Sequence, residues 1–280
     1  MSLCPHPTRR LLNADNGTFR ATRTCLACPR IRQRLFRHQI EHVWEHLKEN
    51  TKINVNESCG THIHLSPQNN SGTWTLRAVK AICRSIVYFE LAFEALLPPH
   101  RRGNIWTKSN VYDNDHFSDK KLGACFSLID GCQTIPRMVE LMNDGDDKYF
   151  GWNFLNLLEV DKNTIEFRRP PGVKSAKECL AWVEFTVTFI QAAVQNGNTL
   201  TNNMGVAANV QALRNFLGSI TISGCEPARF DTIFRRKSGA IFPQKINMIG
   251  YSPEEMNKIE RKAKDKNKNL MGEKMKHSRA

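Results

Sequence analysis

Apolar residues recur every three to four positions over residues 31–50, and this period predicts an amphipathic helix. The recurring positions are Ile31, Leu35, Ile40, Val43 and Leu47. The polar side of this helix carries His38, His42 and His46 at four-residue spacing. That spacing is compatible with a metal site, but glutamates flank the histidines, and we interpret this surface as an ordinary solvated helix face.

Two other segments alternate polar and apolar residues, which is the period of a strand with one buried face. In the first, GTHIHLS, the residues Gly60, His62 and His64 fall on one face. In the second, TIEFRRP, Glu166 and Arg168 share a face. An acid and a base two positions apart can simply pair with each other, so the second pattern alone leaves the function open.

Longer apolar segments predict further helices. They cover residues 74–97, ending at Pro98-Pro99, then 134–143, 175–195 with a capping box at its start, and 206–218. Two extended runs, 149–160 and 164–172, flank a turn and predict a hairpin. Because strands and helices do not alternate regularly, we expect an α+β fold: a twisted, largely antiparallel sheet with helices packed on one face.

The formal net charge of +13 invites a nucleic-acid interpretation, but the charge lies at the ends of the chain. The first 37 residues carry eight arginines and one acid, and residues 251–280 carry nine Lys or Arg against five acids. The part between them is nearly neutral, so nucleic acid is disfavoured as a partner of the core. We expect a basic, disordered extension over 1–30, a catalytic domain over 31–220, and a basic C-terminal extension with a short helix over 221–280.

The cellular location is inferred from what the sequence does not contain. It has no run of about 18 apolar residues and no secretory pattern at its start, so we expect a cytoplasmic protein without a membrane partner. The nine cysteines suit reduced thiols. Cys25 and Cys28 have CxxC spacing, but a tetrahedral zinc site requires a second ligand pair, which makes this a weak signal.

The two alternating segments carry a family resemblance. GTHIHLS resembles the Gly-apolar-His-any-His-apolar-Ser strand of the glutamine synthetase and carboxylate–amine ligase superfamily, and TIEFRRP resembles its Ile-Glu-apolar-Arg-any-Pro strand. With LLPPHR, NLL and AWVEF in the same order, the chain is most similar to the amidoligase branch over roughly residues 38–195. The resemblance implies a glutamine synthetase-like sheet. It also implies an ATP-dependent ligase in which a carboxylate is phosphorylated and the acyl phosphate is attacked by an amine.

The resemblance also implies roles for individual residues. Catalytic roles fall on Arg168, Glu166 and Arg101; nucleotide contacts on His64, Ser66, Arg168 and Arg102; and metal binding on His62 and Glu166. The implied cofactors are ATP and Mg²⁺, or Mn²⁺, because Mg²⁺ rarely takes a histidine ligand. The expected partners are a small-molecule or peptide carboxylate and an amine donor, and the oligomeric state stays open.

One feature of the family pattern has no counterpart before Ile31. Family members begin with a strand that carries Glu-any-Glu, whereas the only acid in this part of the chain is Asp15. We expect either a truncated chain whose sheet lacks its first strand, a degenerate protein that binds without catalysis, or carboxylates supplied from Glu57 or from residues 144–147. The first two explanations together are favoured.

Two functions from other classes compete with the ligase. A non-catalytic protein would bind nucleotides or polyanions, the latter through its basic ends, and its affinity would then depend on salt and on residues 251–280. A metal-dependent hydrolase would use the histidine pair, but it requires further His or Asp ligands and has no evident use for Glu166 and Arg168.

Overall fold

The computed structural model describes residues 18–25, 30–67, 72–159, 162–203, 208–222, 227–243 and 254. Its α-helices are α1 (Arg30–Asn50), α2 (Leu76–Tyr88), α3 (Glu90–Leu96), α4 (Leu122–Gly131), α5 (Ile135–Met142), α6 (Ala176–Asn196), α7 (Val210–Gly218) and α8 (Pro227–Phe234). Its strands are β1 (Thr18–Cys25), β2 (Gly60–Ser66), β3 (Trp152–Asn153) and β4 (Ile165–Phe167). Among the described residues, no helix combines the length and apolar character needed to cross a membrane.

The four strands form one sheet in the order β1-β2-β4-β3. The three strands β2, β4 and β3 pair antiparallel, while β1 joins the edge parallel to β2. The expected α+β class is therefore confirmed. The predicted hairpin is present as β3 and β4, but a 3₁₀ turn at Leu155–Leu158 replaces much of its first arm. Asn153 causes this turn in part, because its side-chain oxygen accepts a hydrogen bond from the Leu155 amide.

The expectation that the sheet lacks its first strand is wrong. Residues 18–25 pair with β2, from Thr18 opposite Gly60 to Cys25 opposite Ser66, so this part of the 1–30 extension belongs to the sheet. The segment was missed because the polar–apolar alternation of its sequence, TFRATRTC, is interrupted at Arg23 and includes few apolar residues. Residues 1–17 and Cys28 lie outside the described residues.

The core lies between the sheet and the long helix α6. Ile63, Leu65, Ile165 and Phe167 are fully buried on the helix side of the sheet, as the alternation predicts. Five rings form the centre of this layer: Phe93, Trp152, Phe167, Phe185 and Phe189. Burying aromatic rings in mutual contact is a large stabilising term in a core of this size.

Helix boundaries differ from the predictions in three places. The helix expected over 74–97 is divided at Phe89, which turns into the core against Phe189 and Phe216. Helix α4 lies outside the segments for which the sequence predicted a helix. Helix α8 packs on α6 through contacts of Phe230 and Phe234 with Phe185, so the packed body continues beyond residue 220.

Candidate functional site

Glu166 is the centre of a polar cluster on the sheet face opposite the core. Its Oε1 accepts hydrogen bonds from Arg168 Nη1 at 2.6 Å and His62 Nδ1 at 2.9 Å, and lies 3.4 Å from His64 Nε2. Its Oε2 accepts a hydrogen bond from Asn153 Nδ2 at 2.8 Å. His64 and Asn153 are the residues in register with Glu166 on the two neighbouring strands. Strand pairing therefore assembles the cluster.

The surrounding hydrogen bonds determine which nitrogen of each histidine carries a proton. Asn156 Nδ2 lies 3.4 Å from His64 Nδ1, so that nitrogen accepts and Nε2–H points to Glu166. Thr164 Oγ1 lies 3.4 Å from the same His64 Nδ1. His62 presents Nδ1–H to Glu166. Arg168 Nη1 approaches His62 Nδ1 to 3.2 Å because both groups donate to the same carboxylate oxygen.

Opposing effects set the charge state of this cluster. Burial disfavours ionisation of Glu166, but the charge of Arg168 and the hydrogen bond from His62 hold its pKa well below its usual range. Burial lowers the pKa of His62, and the positive charge of Arg168 lowers it further, although the hydrogen bond to Glu166 opposes both. At neutral pH the cluster therefore consists of a carboxylate, a guanidinium and a neutral His62.

Arg101 lies next to this cluster and is only 4% exposed. Its Nη2 donates to the Arg168 carbonyl at 2.8 Å, and its Nε donates to the Arg169 carbonyl at 3.2 Å. Gly60 makes room for it: a Cβ atom at Gly60 would lie 3.1 Å from Arg101 Nη2. Burial, together with the charges of Arg168 and Arg169, lowers the pKa of Arg101 to about 10, so this residue is still a cation at neutral pH.

A second, fully buried ionic cluster anchors the end of β4 and was missed in the sequence. Arg169 donates to Glu94 Oε2 at 3.0 Å and also pairs with Glu90. Glu90 accepts another hydrogen bond from Ser109. Burial raises the pKa of both glutamates despite the neighbouring Arg169. The one sequence signal was the RR pair after the strand, from which only Arg168 was selected.

Several residues that the sequence singled out make no side-chain hydrogen bond to the Glu166 cluster among the described residues. Arg102 donates to the Glu94 carbonyl. Ser66 lies in the last position of β2, and no side-chain hydrogen bond joins it to the Glu166 cluster among the described residues. The carboxylates proposed as substitutes for the Glu-any-Glu pair interact with residues outside the Glu166 cluster. Glu57 lies 4.0 Å from His100, and Asp147 pairs with Lys108 at 2.8 Å.

The donor set around Glu166 does not suit Mg²⁺. This ion prefers several oxygen ligands in octahedral geometry. The cluster offers one carboxylate, both of whose oxygens already accept hydrogen bonds, and it places the Arg168 guanidinium 2.6 Å from one of them. Across the described residues, no group of three or more His, Cys, Asp or Glu side chains is placed to hold a metal. The metal site implied at His62 and Glu166 is therefore not assembled in this part of the chain.

Comparison with known proteins identifies the family. A family model described as "Putative amidoligase enzyme" matches residues 12–190, which is more than half of the chain. The chain belongs to the amidoligase family. Searches of curated proteins and of solved structures gave no significant match.

The family match extends further toward the amino terminus than the sequence resemblance did. It begins at residue 12 and so includes β1, whereas the motifs pointed to a region from about residue 38. In this member of the family, Arg20 is the β1 residue in register with His62. The segment 18–25 contains no acid, so β1 does not supply the Glu-any-Glu pair that the family pattern implies.

Proposed function

We propose that this member of the amidoligase family is an ATP-dependent carboxylate–amine ligase. A carboxylate oxygen of the substrate attacks the γ-phosphorus of ATP, the bond from that phosphorus to the β,γ-bridging oxygen breaks, and ADP leaves. The amine nitrogen then attacks the acyl carbon, the acyl–oxygen bond breaks, phosphate leaves, and the nitrogen loses a proton. The products are an amide, ADP and phosphate.

The convergence of Glu166, Arg168, His62 and His64 on the polar sheet face, within the family-matched region, carries this proposal. Phosphoryl transfer depends on positioning and on fixed positive charge at the transferring group. Arg168 supports that role because Glu166 holds its guanidinium in place. His64 and Ser66 are proposed to face the nucleotide. The role of Glu166 is to orient Arg168 and His62, and no step is assigned to a metal.

A coupled assay tests the ligase. ADP, phosphate and hydroxamate are measured after Mg·ATP is mixed with a pool of amino acids and short dicarboxylic acids, with hydroxylamine as the amine. We expect turnover by the wild type, a loss on the order of a hundredfold in His62→Ala and Glu166→Gln, and no loss in the exposed control Arg214→Met. If the wild type forms no ADP, phosphate or hydroxamate and Mg·ATP does not raise its Tm, the result contradicts both ligase activity and nucleotide binding.

A non-catalytic binding protein is the second candidate, and one observation favours it. The β1 position in register with His62 is an arginine, so this edge of the sheet is poorer in carboxylates than the family pattern implies. A rise in Tm with Mg·ATP and no ADP release would support this candidate. Binding of a polyanion through residues 251–280 is tested separately by removing these residues and measuring whether the salt-dependent affinity for the polyanion is lost. The metal-dependent hydrolase would need a further metal ligand beside His62 and His64. Among the described residues, no group of three or more His, Cys, Asp or Glu side chains is placed to hold a metal.

A further inference from the structure

The exposed face of helix α1 combines imidazole and carboxylate side chains in one stripe. Its members recur at the three-to-four spacing that places side chains on one side of a helix. All six are exposed: His38, Glu41, His42, Glu45, His46 and Glu49. These positions include no Lys or Arg. The stripe therefore presents possible metal ligands without a competing cation among them.

The structure distinguishes the three histidines, which the sequence alone could not do. Asn50 Nδ2 lies 3.2 Å from His46 Nδ1 and also donates to the His46 carbonyl at 2.8 Å, so His46 already has a partner. The rings of His38 and His42 lie next to each other, with centres 6.5 Å apart. Neither ring makes a hydrogen bond or an ion pair with any residue that the structure describes. Their nitrogens are thus available for a ligand.

The separation of these two rings suits a shared metal ion. A metal–imidazole bond is about 2 Å long, so two rings share an ion when one nitrogen of each lies within about 4 Å of the other. Ring centres 6.5 Å apart permit this after small rotations of the two exposed side chains. In the part of the chain that the structure describes, no third His, Cys, Asp or Glu side chain joins them. The protein would therefore supply two ligands.

Helix α1 supports this pair because its opposite side is fixed to the core. Arg37 Nε donates to Glu184 Oε1 on α6 at 2.6 Å, and Trp44 is only 2% exposed. A helix held in this way keeps the spacing of the two histidines, which reduces the ordering that binding requires. Helix α6 covers the sheet face opposite the Glu166 cluster, so the histidine pair lies apart from the candidate active site.

We propose that His38 and His42 bind one divalent ion of the late first-row metals, Ni²⁺, Cu²⁺ or Zn²⁺, through one imidazole nitrogen each. Water completes the coordination. Imidazole nitrogen suits these ions, whereas Mg²⁺ and Mn²⁺ favour oxygen ligands. The glutamates of the stripe add a longer-range attraction for a divalent cation. The site does not depend on the proposed ligase activity, and it takes a different class of ion from the Mg²⁺ that accompanies ATP.

Calorimetric titration of the tag-free, full-length chain with NiCl₂ tests the site. We expect one Ni²⁺ to bind per chain and to raise the Tm. Losing even an outer-shell partner of a ligand costs about 10–100-fold in metal affinity, so His38→Ala and His42→Ala should each weaken binding by at least about tenfold. His46→Ala, on the same exposed stripe, is the matched control and should leave the affinity unchanged. Mn²⁺ should bind far more weakly than Ni²⁺.

Four results would overturn the site. They are no binding of Ni²⁺, an equal loss in His46→Ala and His42→Ala, an unchanged affinity in His38→Ala, and an affinity for Mn²⁺ that equals the affinity for Ni²⁺. Thiolates also bind Ni²⁺, so Cys25→Ser combined with Cys28→Ser is titrated in parallel. Retained binding in this double variant supports the histidine pair, and a loss there without a loss in His42→Ala would assign the ion to the thiols. Circular dichroism confirms that each variant is folded.

Discussion

Asn153 and Glu166 face each other across two antiparallel strands, and Asn153 Nδ2 donates to Glu166 Oε2 at 2.8 Å. This one hydrogen bond occupies the carboxylate oxygen that Arg168 and His62 leave open. It also satisfies that oxygen in a site with little access to water, because Glu166 is only 4% exposed. The cluster is thus held from the strand on each side of β4.

Replacing Asn153 by alanine should destabilise the fold. The change leaves Glu166 Oε2 and the Leu155 amide without their partner, and an unsatisfied buried polar group costs about 1–3 kcal/mol. Urea unfolding gives the free energy. The control is Asn215→Ala, an exposed residue on α7 whose side-chain oxygen accepts a hydrogen bond from Gln211. A loss in Asn153→Ala no larger than in the control would show that this hydrogen bond does not hold the cluster.

Gly60→Ala should displace Arg101 and lower ligase activity without unfolding the protein. The new Cβ would lie 3.1 Å from Arg101 Nη2 and would push the guanidinium away from its carbonyl acceptors. We expect a loss of about tenfold in kcat/KM, equivalent to about 1.4 kcal/mol of transition-state stabilisation. Gly218→Ala, where a Cβ meets nothing within 4 Å, is the matched control. Equal values of kcat/KM in the two variants would disprove the positioning role of Gly60.

Stability should fall on acidification in two stages. Folding lowers the pKa of His62, so below about pH 6.5 this histidine is protonated in the unfolded chain before it is protonated in the folded chain. The free energy of unfolding therefore decreases as the pH falls through this range. Folding also depresses the pKa of Glu166, so its contribution is present above about pH 4.3 and is lost at lower pH. Urea unfolding across this range measures both. His62→Asn should remove the first stage, and persistence of that stage would assign it to another group.

Arg169→Met should be among the most destabilising single changes. It leaves Glu90 and Glu94 buried without their cation, and breaking a buried pair in this way costs about 3–5 kcal/mol. Arg214→Met removes an exposed pair with Asp231 and should cost at most about 1 kcal/mol. Adding Glu90→Gln and Glu94→Gln to Arg169→Met should restore part of the loss. No restoration would mean that the packing of Arg169, not its charge, is what matters.

The sequence predicted the faces of the strands better than their contacts. Period-two alternation placed His62, His64, Glu166 and Arg168 on polar faces, and the structure brings them together because β2 and β4 are adjacent. Asn153 was not predicted, since its role depends on the register between β3 and β4. No local pattern encodes that register.

Other features were missed for physical reasons that the sequence does not display. The alternation of strand β1 is interrupted at Arg23 and includes few apolar residues, so its pairing with β2 became visible only in the folded chain. Arg169 received no prediction of its own because its carboxylate partners, Glu90 and Glu94, are more than seventy residues away. Charged residues are rarely buried unless paired, and a pairing over such a distance cannot be read from spacing.

The most direct test of the ligase follows one oxygen atom. Carboxylates labelled with oxygen-18 are incubated with Mg·ATP and hydroxylamine, and the inorganic phosphate is analysed by mass spectrometry, with Glu166→Gln and Arg214→Met as variants. An acyl-phosphate intermediate predicts one labelled oxygen in each phosphate formed, with the label present in Arg214→Met and greatly reduced in Glu166→Gln. Hydroxamate formed with unlabelled phosphate, or no ADP and no labelled phosphate from the wild type, would contradict the proposed function.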